Sequence, residues 1–327
     1  MDNNPISCFQ LGTYFQLDGK QLQEQYKHHI SNYSDWDQQQ HASEWILYPE
    51  NMGKHLSIDE TSLSNDELYT IVTNKAAKGR KGTLVAMVRG TQADSIIEVL
   101  KKIPERLRNQ VEEVTLDMAP SMNLSVERCF RKANRVTDRF HVQRLACDAV
   151  QELRIKYRWE ALDQENEAIK AARAKGETFI PDVLGNGDTL KQLLARSRYL
   201  LFKHKDKWTA SQKIRAGLLF ERFPKLKEAY YLSLRLGIIY RTCRTKQEAF
   251  KKLAIWFNEV ESSTIQSFKT VVRTVETHYL SILNFFNNRS TNASAESFNA
   301  KIKSFRSSSR GVRDIPFFLF RLANIYA

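Results

Sequence analysis

The chain has 327 residues, 42% of them apolar and 27% charged, with 50 Lys and Arg against 37 Asp and Glu, for a formal charge of +13. That length excludes a small stapled module and fits one large domain with an insertion, or two domains, with ample apolar residues for a core. The positive excess points to an anionic partner, most simply nucleic acid. No run approaches the roughly 20 apolar residues of a membrane span. The start "MDNNPISCFQ" lacks the basic and apolar segments of a signal peptide, so an intracellular protein is expected. Cys8, Cys129, Cys147 and Cys243 lie far apart without zinc-ligand spacing and read as small hydrophobes in a reducing compartment.

Residues 1–50 are polar and aromatic, with short helices expected near 20–29 and 36–46. From about residue 55 the texture changes. In "HLSIDETSL", Leu56 and Ile58 alternate with Ser57, Asp59 and Thr61, which predicts a strand. "ELYTIVTN" and "GTLVAMVRG" predict two more, joined by the basic hairpin loop "KAAKGRKG". "ADSIIEVLKKIPERLRNQ" has helical spacing, "VEEVTLDM" alternates again, "SMNLSVERCFRKAN" reads as a helix and "RVTDRF" as a short strand. The predicted order is β-β-β-α-β-α-β.

After about residue 140 the strand signals stop. Charged helical sequence runs to about 175, and the break "GETFIPDVLGNG" precedes a second helical block. Within that block Ile265, Phe268, Val272, Val275, Tyr279, Ile282 and Phe286 repeat with 3-4 spacing, predicting one amphipathic helix. Trp159, Trp208 and Trp256 fall in this helical region; each reads either as a core residue or as a platform for a flipped base.

The chemistry concentrates in three acids. Asp59 and Asp117 each come late on a strand and on its polar face. If the first three strands form a meander, the first and fourth are neighbours and the two carboxylates approach each other. Like charges in contact call for a cation between them, and hard oxygen ligands suit Mg²⁺ or Mn²⁺. The third acid is Glu296 in "TNASAESFNAKIKSFRSSSRGVRD". Read as a helix, that stretch puts Phe298, Ile302 and Phe305 in one apolar stripe and Glu296, Asn299, Ala300 and Lys303 on the other side, with Ser294 as a candidate cap. Taken alone, Glu296 reads first as an ordinary acid placed where a helix dipole favours it. As a third metal ligand it completes a two-metal site that clamps a scissile phosphate. Glu60 alternates to the face opposite Asp59 and reads as structural. Asp138 and His141, in "DRFHV", fit either the outer shell of that site or a helix cap and a packed imidazole.

These segments, "SIDETS", "TLDMAPSM", "TDRFHVQRL" and the Glu296 helix, resemble a DDE-type transposase of a bacterial insertion sequence. The likeness covers about residues 50–327. The gap from Asp117 to Glu296 is about three times that from Asp59 to Asp117, as in the family branch with a long insertion before the Glu. The resemblance implies an α/β fold, a ribonuclease H-like mixed sheet flanked by helices, with a large all-α insertion. The implied organisation is an N-terminal segment 1–50, the first part of the core at 51–140, the insertion at 141–290 and the closing part of the core at 291–327.

It further implies that Asp59, Asp117 and Glu296 coordinate two Mg²⁺ or Mn²⁺ ions for DNA strand cleavage and strand transfer, with Asp138 and His141 behind them. The basic residues Lys78, Arg80, Lys81, Lys303, Arg306 and Arg310, together with Asn299, are expected to contact DNA backbone. The expected partners are DNA, both transposon ends and target, and further copies of the chain assembled on it, in a nucleoid-associated, cytoplasmic bacterial protein. Relatives carry an end-reading region ahead of the core, often a zinc module with a helix-turn-helix. Residues 1–50 have neither pattern, so a separate end-binding polypeptide docking on that aromatic segment is expected. A ribonuclease H-like nuclease without strand transfer, or a truncated or domesticated DNA-binding derivative, is the alternative.

Overall fold

The computed structural model describes residues 1–63 and 67–327 of the chain. The chain divides into two compact units, one of residues 1–138 and 288–327, the other of residues 139–287.

The first unit is built on one mixed six-stranded sheet. Two short helices, α1 (Cys8–Phe15) and α2 (Gly19–Gln25), precede β1 (Trp45–Leu47). The meander β2 (His55–Ser62), β3 (Leu68–Asn74) and β4 (Leu84–Arg89) follows. Next come α3 (Ala93–Lys101), α4 (Glu105–Arg108), β5 (Glu113–Leu116), α5 (Pro120–Cys129) and β6 (Asn134–Thr137). The sheet order is β1-β4-β3-β2-β5-β6, antiparallel through β2 and parallel across β2-β5-β6. This is the predicted β-β-β-α-β-α-β order in the ribonuclease H-like arrangement, extended at one edge by β1. Parallel pairing demands crossovers, and the α3–α4 and α5 segments supply them.

The two sheet faces differ in what covers them. Leu56, Ile58, Val72, Val114 and Leu116 pack with Ile96 and Val99 of α3, Val126 of α5 and Phe130 just past its end. Tyr69, Ile71 and Met87 pack on the other face with Phe298, Ile302, Phe305, Leu319 and Leu322. Those five belong to α14 (Ala293–Ser308) and α15 (Ile315–Tyr326) at the end of the chain. Strand alternation thus delivers odd-numbered β2 residues to α14 and even-numbered ones to α3 and α5.

Several local expectations are corrected. The segment expected to be helical at 36–46 is a 3-10 turn, Gln39–His41, leading into strand β1. Trp45, Ile46 and Leu47 pair with Val88, Met87 and Ala86, a strand that the β-favouring Trp45 and Ile46 suit. Helix α1, which carries no clear periodicity in sequence, starts on a reciprocal capping box of Ser7 and Gln10. Ser294 does not cap α14; the cap residue is Asn292, and the Ser294 hydroxyl is buried without a partner among the described residues.

In the second unit the described residues form α6 (Arg139–Ala174), α7 (Leu190–Arg196), α8 (Arg198–Phe202), α9 (Ala210–Arg222), α10 (Pro224–Thr242), α11 (Lys246–Ser263), α12 (Gln266–Thr277) and α13 (Tyr279–Asn288), the last ending at the unit boundary. The single helix expected over 265–286 is two, α12 and α13, divided at His278. The hydroxyls of Thr274 and Thr277 bond back to the carbonyls of Thr270 and Arg273 just before the break, a habit that bends helices. The Gly/Pro break is pinned by Asp188, which is fully buried and ion-paired with Arg196 and Arg215. Trp256 is core and donates to the Leu232 carbonyl, Trp208 stacks on Tyr230, and Trp159 is 62% exposed.

Candidate active site

The β2–β5 register settles how Asp59 and Asp117 stand. His55, Leu56 and Ser57 pair with Glu113, Val114 and Thr115. Two steps further along both chains, Asp59 falls opposite Asp117, and parallel strands in register turn paired side chains to the same face. Asp117 is the first residue after β5. One of its carboxylate oxygens accepts the Ala119 N–H at 2.7 Å, which fixes the turn into α5. The β5–β6 register pairs Leu116 with Thr137, so the next residues, Asp117 and Asp138, are neighbours in turn. The Asp138 N–H donates to the Leu116 carbonyl at 3.0 Å, and the residue is 2% exposed. Asp59 within β2 is therefore level with Asp117 and Asp138, the residues that directly follow the neighbouring parallel strands β5 and β6.

Helix α14 lies over this end of the sheet. Its apolar stripe, Phe298, Ile302 and Phe305, is fully buried as expected. Asn299 departs from expectation. Instead of facing solvent it is 8% exposed, and its amide donates to Asp59 Oδ2 at 2.8 Å and to the Glu60 carbonyl at 3.2 Å. At about 100° per residue Asn299 sits on the border of the apolar stripe, so it turns inward. Asp59 Oδ1 accepts the Glu60 N–H at 2.9 Å. At the head of the same helix, Asn292 is buried and its amide donates to the Ile58 carbonyl at 3.2 Å.

Glu296 is exposed and lies one turn before Asn299, a rise of about 4.5 Å along the axis. Among the described residues no three His, Cys, Asp or Glu side chains are gathered closely enough to hold a metal ion. Asp59 and Asp117 are thus matched in register on adjacent strands, while Glu296 is offered from α14 without closing on them. The surroundings are rich in oxygen. On the Asp59 face, Ser57 and Thr61 are buried with hydroxyls lacking partners among the described residues, as does the Asn292 side-chain oxygen. An all-oxygen donor set of this kind fits a hard divalent cation.

Glu60, which the sequence marks as structural, and Lys75 and Glu113, which it does not single out, belong to the same neighbourhood. Glu60 does alternate away from Asp59, yet its carboxyl is pushed above its ordinary value, first by burial and then by the charges of Asp117 and Asp59. Lys75, in the basic turn after β3, is turned inward. Its ammonium donates to the Thr115 hydroxyl at 2.7 Å and stands 3.5 Å from Glu113, which is 3% exposed. Burial pulls the Lys75 pKa down, against the opposing pull of Glu113 and Asp138. Glu113 also accepts from the Asn288 amide at 3.1 Å. The only sequence signal for Glu113 was its phase, since 113, 115 and 117 share one face of β5; Lys75 had none, being one cation among four.

The other expected contacts divide. Lys78, Arg80, Lys81, Lys303 and Arg310 are exposed. Arg306 is half-buried and donates to the carbonyls of Ser62 and Leu63, so much of its hydrogen-bonding capacity is spent on the exit of β2. Lys301, unremarked in the sequence, ties α14 to the basic turn by donating to the Gly79 carbonyl at 2.6 Å. His141 lies on α6 in the other unit, partly exposed and edge-on to Phe140.

Among the described residues no helix is long and apolar enough to cross a membrane. A search of curated proteins finds no match to the chain. The family model described as "Transposase" for the ISL3 group of DDE enzymes matches residues 56–322, which takes in β2 through most of α15 and all three acids. On that match, with the mixed sheet and terminal helices arranged as described, the chain belongs to the ISL3 family of DDE transposases.

Proposed function

We propose that this transposase cleaves DNA strands and joins them to a target through Asp59, Asp117 and Glu296, with two Mg²⁺ or Mn²⁺ ions as its cofactor. The observation that carries the reading is the strand register, which brings Asp59 level with Asp117 beneath the helix bearing Glu296. When bound, the metal ions offset negative charge on the attacking and leaving oxygens of an in-line phosphoryl displacement.

The chain's own residues do the rest. Asp59 presents its carboxylate from within β2 and Asp117 from the turn directly after β5. Asn299 holds Asp59 by its Oδ2 and so sets the orientation of the other oxygen. Glu296, exposed at the head of α14, supplies the third carboxylate by a change of side-chain rotamer or a small shift of the helix start. Asp138 lends its charge from the neighbouring strand end. Lys78, Arg80, Lys81, Lys303 and Arg310 are exposed cations suited to hold the strand by its phosphates, a contact that fixes position without reading sequence.

The test is Mg²⁺-dependent nicking and joining of duplex DNA by the parent and by Asp59→Asn, Asp117→Asn and Glu296→Gln. Each variant is expected to lose about a thousandfold or more in rate, as when a group acting in a concerted set is removed, while binding DNA as tightly or more tightly because a negative charge facing phosphate is gone. Cleavage retained by any one variant removes that residue from the mechanism. Cleavage by the parent without joined products would identify a nuclease instead.

A further inference from the structure

Away from the three acids, the first unit contains a cleft of about 540 Å³ between the N-terminal helices α1 and α2 and the turn that joins α14 to α15. Arg310 and Gly311, with φ of 55° and 97°, make that turn in the left-handed region. The cleft's charge is one-sided. Lys20, Lys27, Arg310, Arg313 and Arg321 line it, against Glu24 and Asp314. Lys27 is already paired with Asp314 at 2.6 Å, and Arg310 lies over the Phe9 ring at 5.5 Å. Lys20 and Arg313 are exposed at the rim, from two segments nearly 300 positions apart in sequence.

The floor is the unusual part. Arg321 is 4% exposed, sandwiched between the rings of Tyr26 and Phe305. Its Nη2 donates to the carbonyls of Met1 and Ile6, but its Nε has no hydrogen-bond partner, and among the described residues no carboxylate pairs with it. Burial pulls its pKa below that of an ordinary arginine. The charge of Asp2 acts on Arg321 only from beyond ion-pair distance; a buried guanidinium without a counter-anion in contact is costly, and a phosphate is the ligand whose geometry an arginine fork matches.

We propose that this cleft is a phosphate site, formed jointly by the N-terminal helices and the α14–α15 turn, that takes a phosphate group from a nucleic-acid strand or from a free phosphate ester. The nucleic-acid source rests on the reading of DNA as substrate. From Glu296 to the end of α14 at Ser308 the helix rises about 18 Å, the span of about five base pairs. A strand running along α14 from the acids would therefore reach the cleft about half a helical turn of DNA away. The segment before the sheet then serves as part of the DNA path.

The experiment uses the full chain with Lys20→Ser, Arg313→Ser and the double substitution, all at exposed positions. Binding of a short duplex of arbitrary sequence is measured across a salt series, together with the melting temperature in inorganic phosphate at constant ionic strength. If both side chains hold one strand phosphate, each single variant binds about tenfold more weakly, and the double variant no more weakly than the worse single, because the two losses share a partner. If the source is a free ester, DNA binding is unchanged, while phosphate raises the melting temperature of the parent and not of the double variant. Losses that simply add to about a hundredfold with no effect of phosphate, or no change in either measurement, overturn the proposal. Neither readout uses cleavage, so failure here is separate from failure of the Asp59, Asp117 and Glu296 assignment.

Discussion

Asn299→Ala is the most informative single change, because Asn299 is a side chain of α14 that touches Asp59, an acid of the proposed active site. The substitution removes a hydrogen bond to the Asp59 carboxylate at 2.8 Å and one to the Glu60 carbonyl at 3.2 Å. A bond to a charged acceptor contributes about 1.5–3 kcal/mol when its partner is deeply buried. Asp59 is only half-buried, so water replaces part of the loss and a total near 2 kcal/mol is expected. For a unit of this size each kcal/mol moves the melting temperature by roughly 2–4 °C, giving a fall of about 4–8 °C. With Asp59 as the metal ligand proposed above, losing the group that orients its carboxylate is expected to cost about 10–100-fold in metal affinity or activity. Calorimetry and a Mg²⁺ titration of strand-nicking rate measure the two effects separately. A variant that melts lower yet nicks within about twofold of the parent at every Mg²⁺ concentration would show Asn299 to be a packing residue only. An unchanged melting temperature would mean that the bond to Asp59 contributes nothing.

Two further predictions concern the charges around the same sheet end. Lys75→Met strands Glu113 in the interior and is expected to cost about 3 kcal/mol in urea unfolding, much of it recovered by adding Glu113→Gln; a double variant no more stable than the single would refute the pairing. Glu60, whose carboxyl is raised in the folded state, binds its proton more tightly folded than unfolded, so its contribution is fullest below the unfolded value and declines as pH rises through the folded one. Glu60→Gln should therefore gain melting temperature over the parent at pH 7.5 and show little difference near pH 4, with an equal effect at both pH values counting against the assignment.

Much of this protein was legible in its sequence. Because a half-buried strand must repeat every two residues, alternation in "HLSIDETSL" and "VEEVTLDM" located both strands and put Asp59 on β2, though β5 stops one residue short of Asp117. The 3-4 spacing of Phe298, Ile302 and Phe305 gave the buried stripe of α14 for the equivalent reason in a helix. Both patterns are local, so a linear reading captures them. The register of β2 against β5, which matches Asp59 to Asp117, is a pairing between segments more than 50 positions apart; that of β5 against β6 puts Asp138 beside Asp117, and both were fixed only when the sheet formed. The inward turn of Asn299 depended on how far α14 rolled onto the sheet, since a residue at the border of an apolar stripe goes either way. Likewise Trp45–Leu47 became a strand because β4 offered an unpaired edge, not because its own sequence demanded one. Lys75 and Arg321 look in sequence like any other cations of a basic chain. Tertiary packing alone buried them, one against Glu113 and the other with no carboxylate partner among the described residues, because burial and pairing are properties of what surrounds a charge rather than of the charge itself.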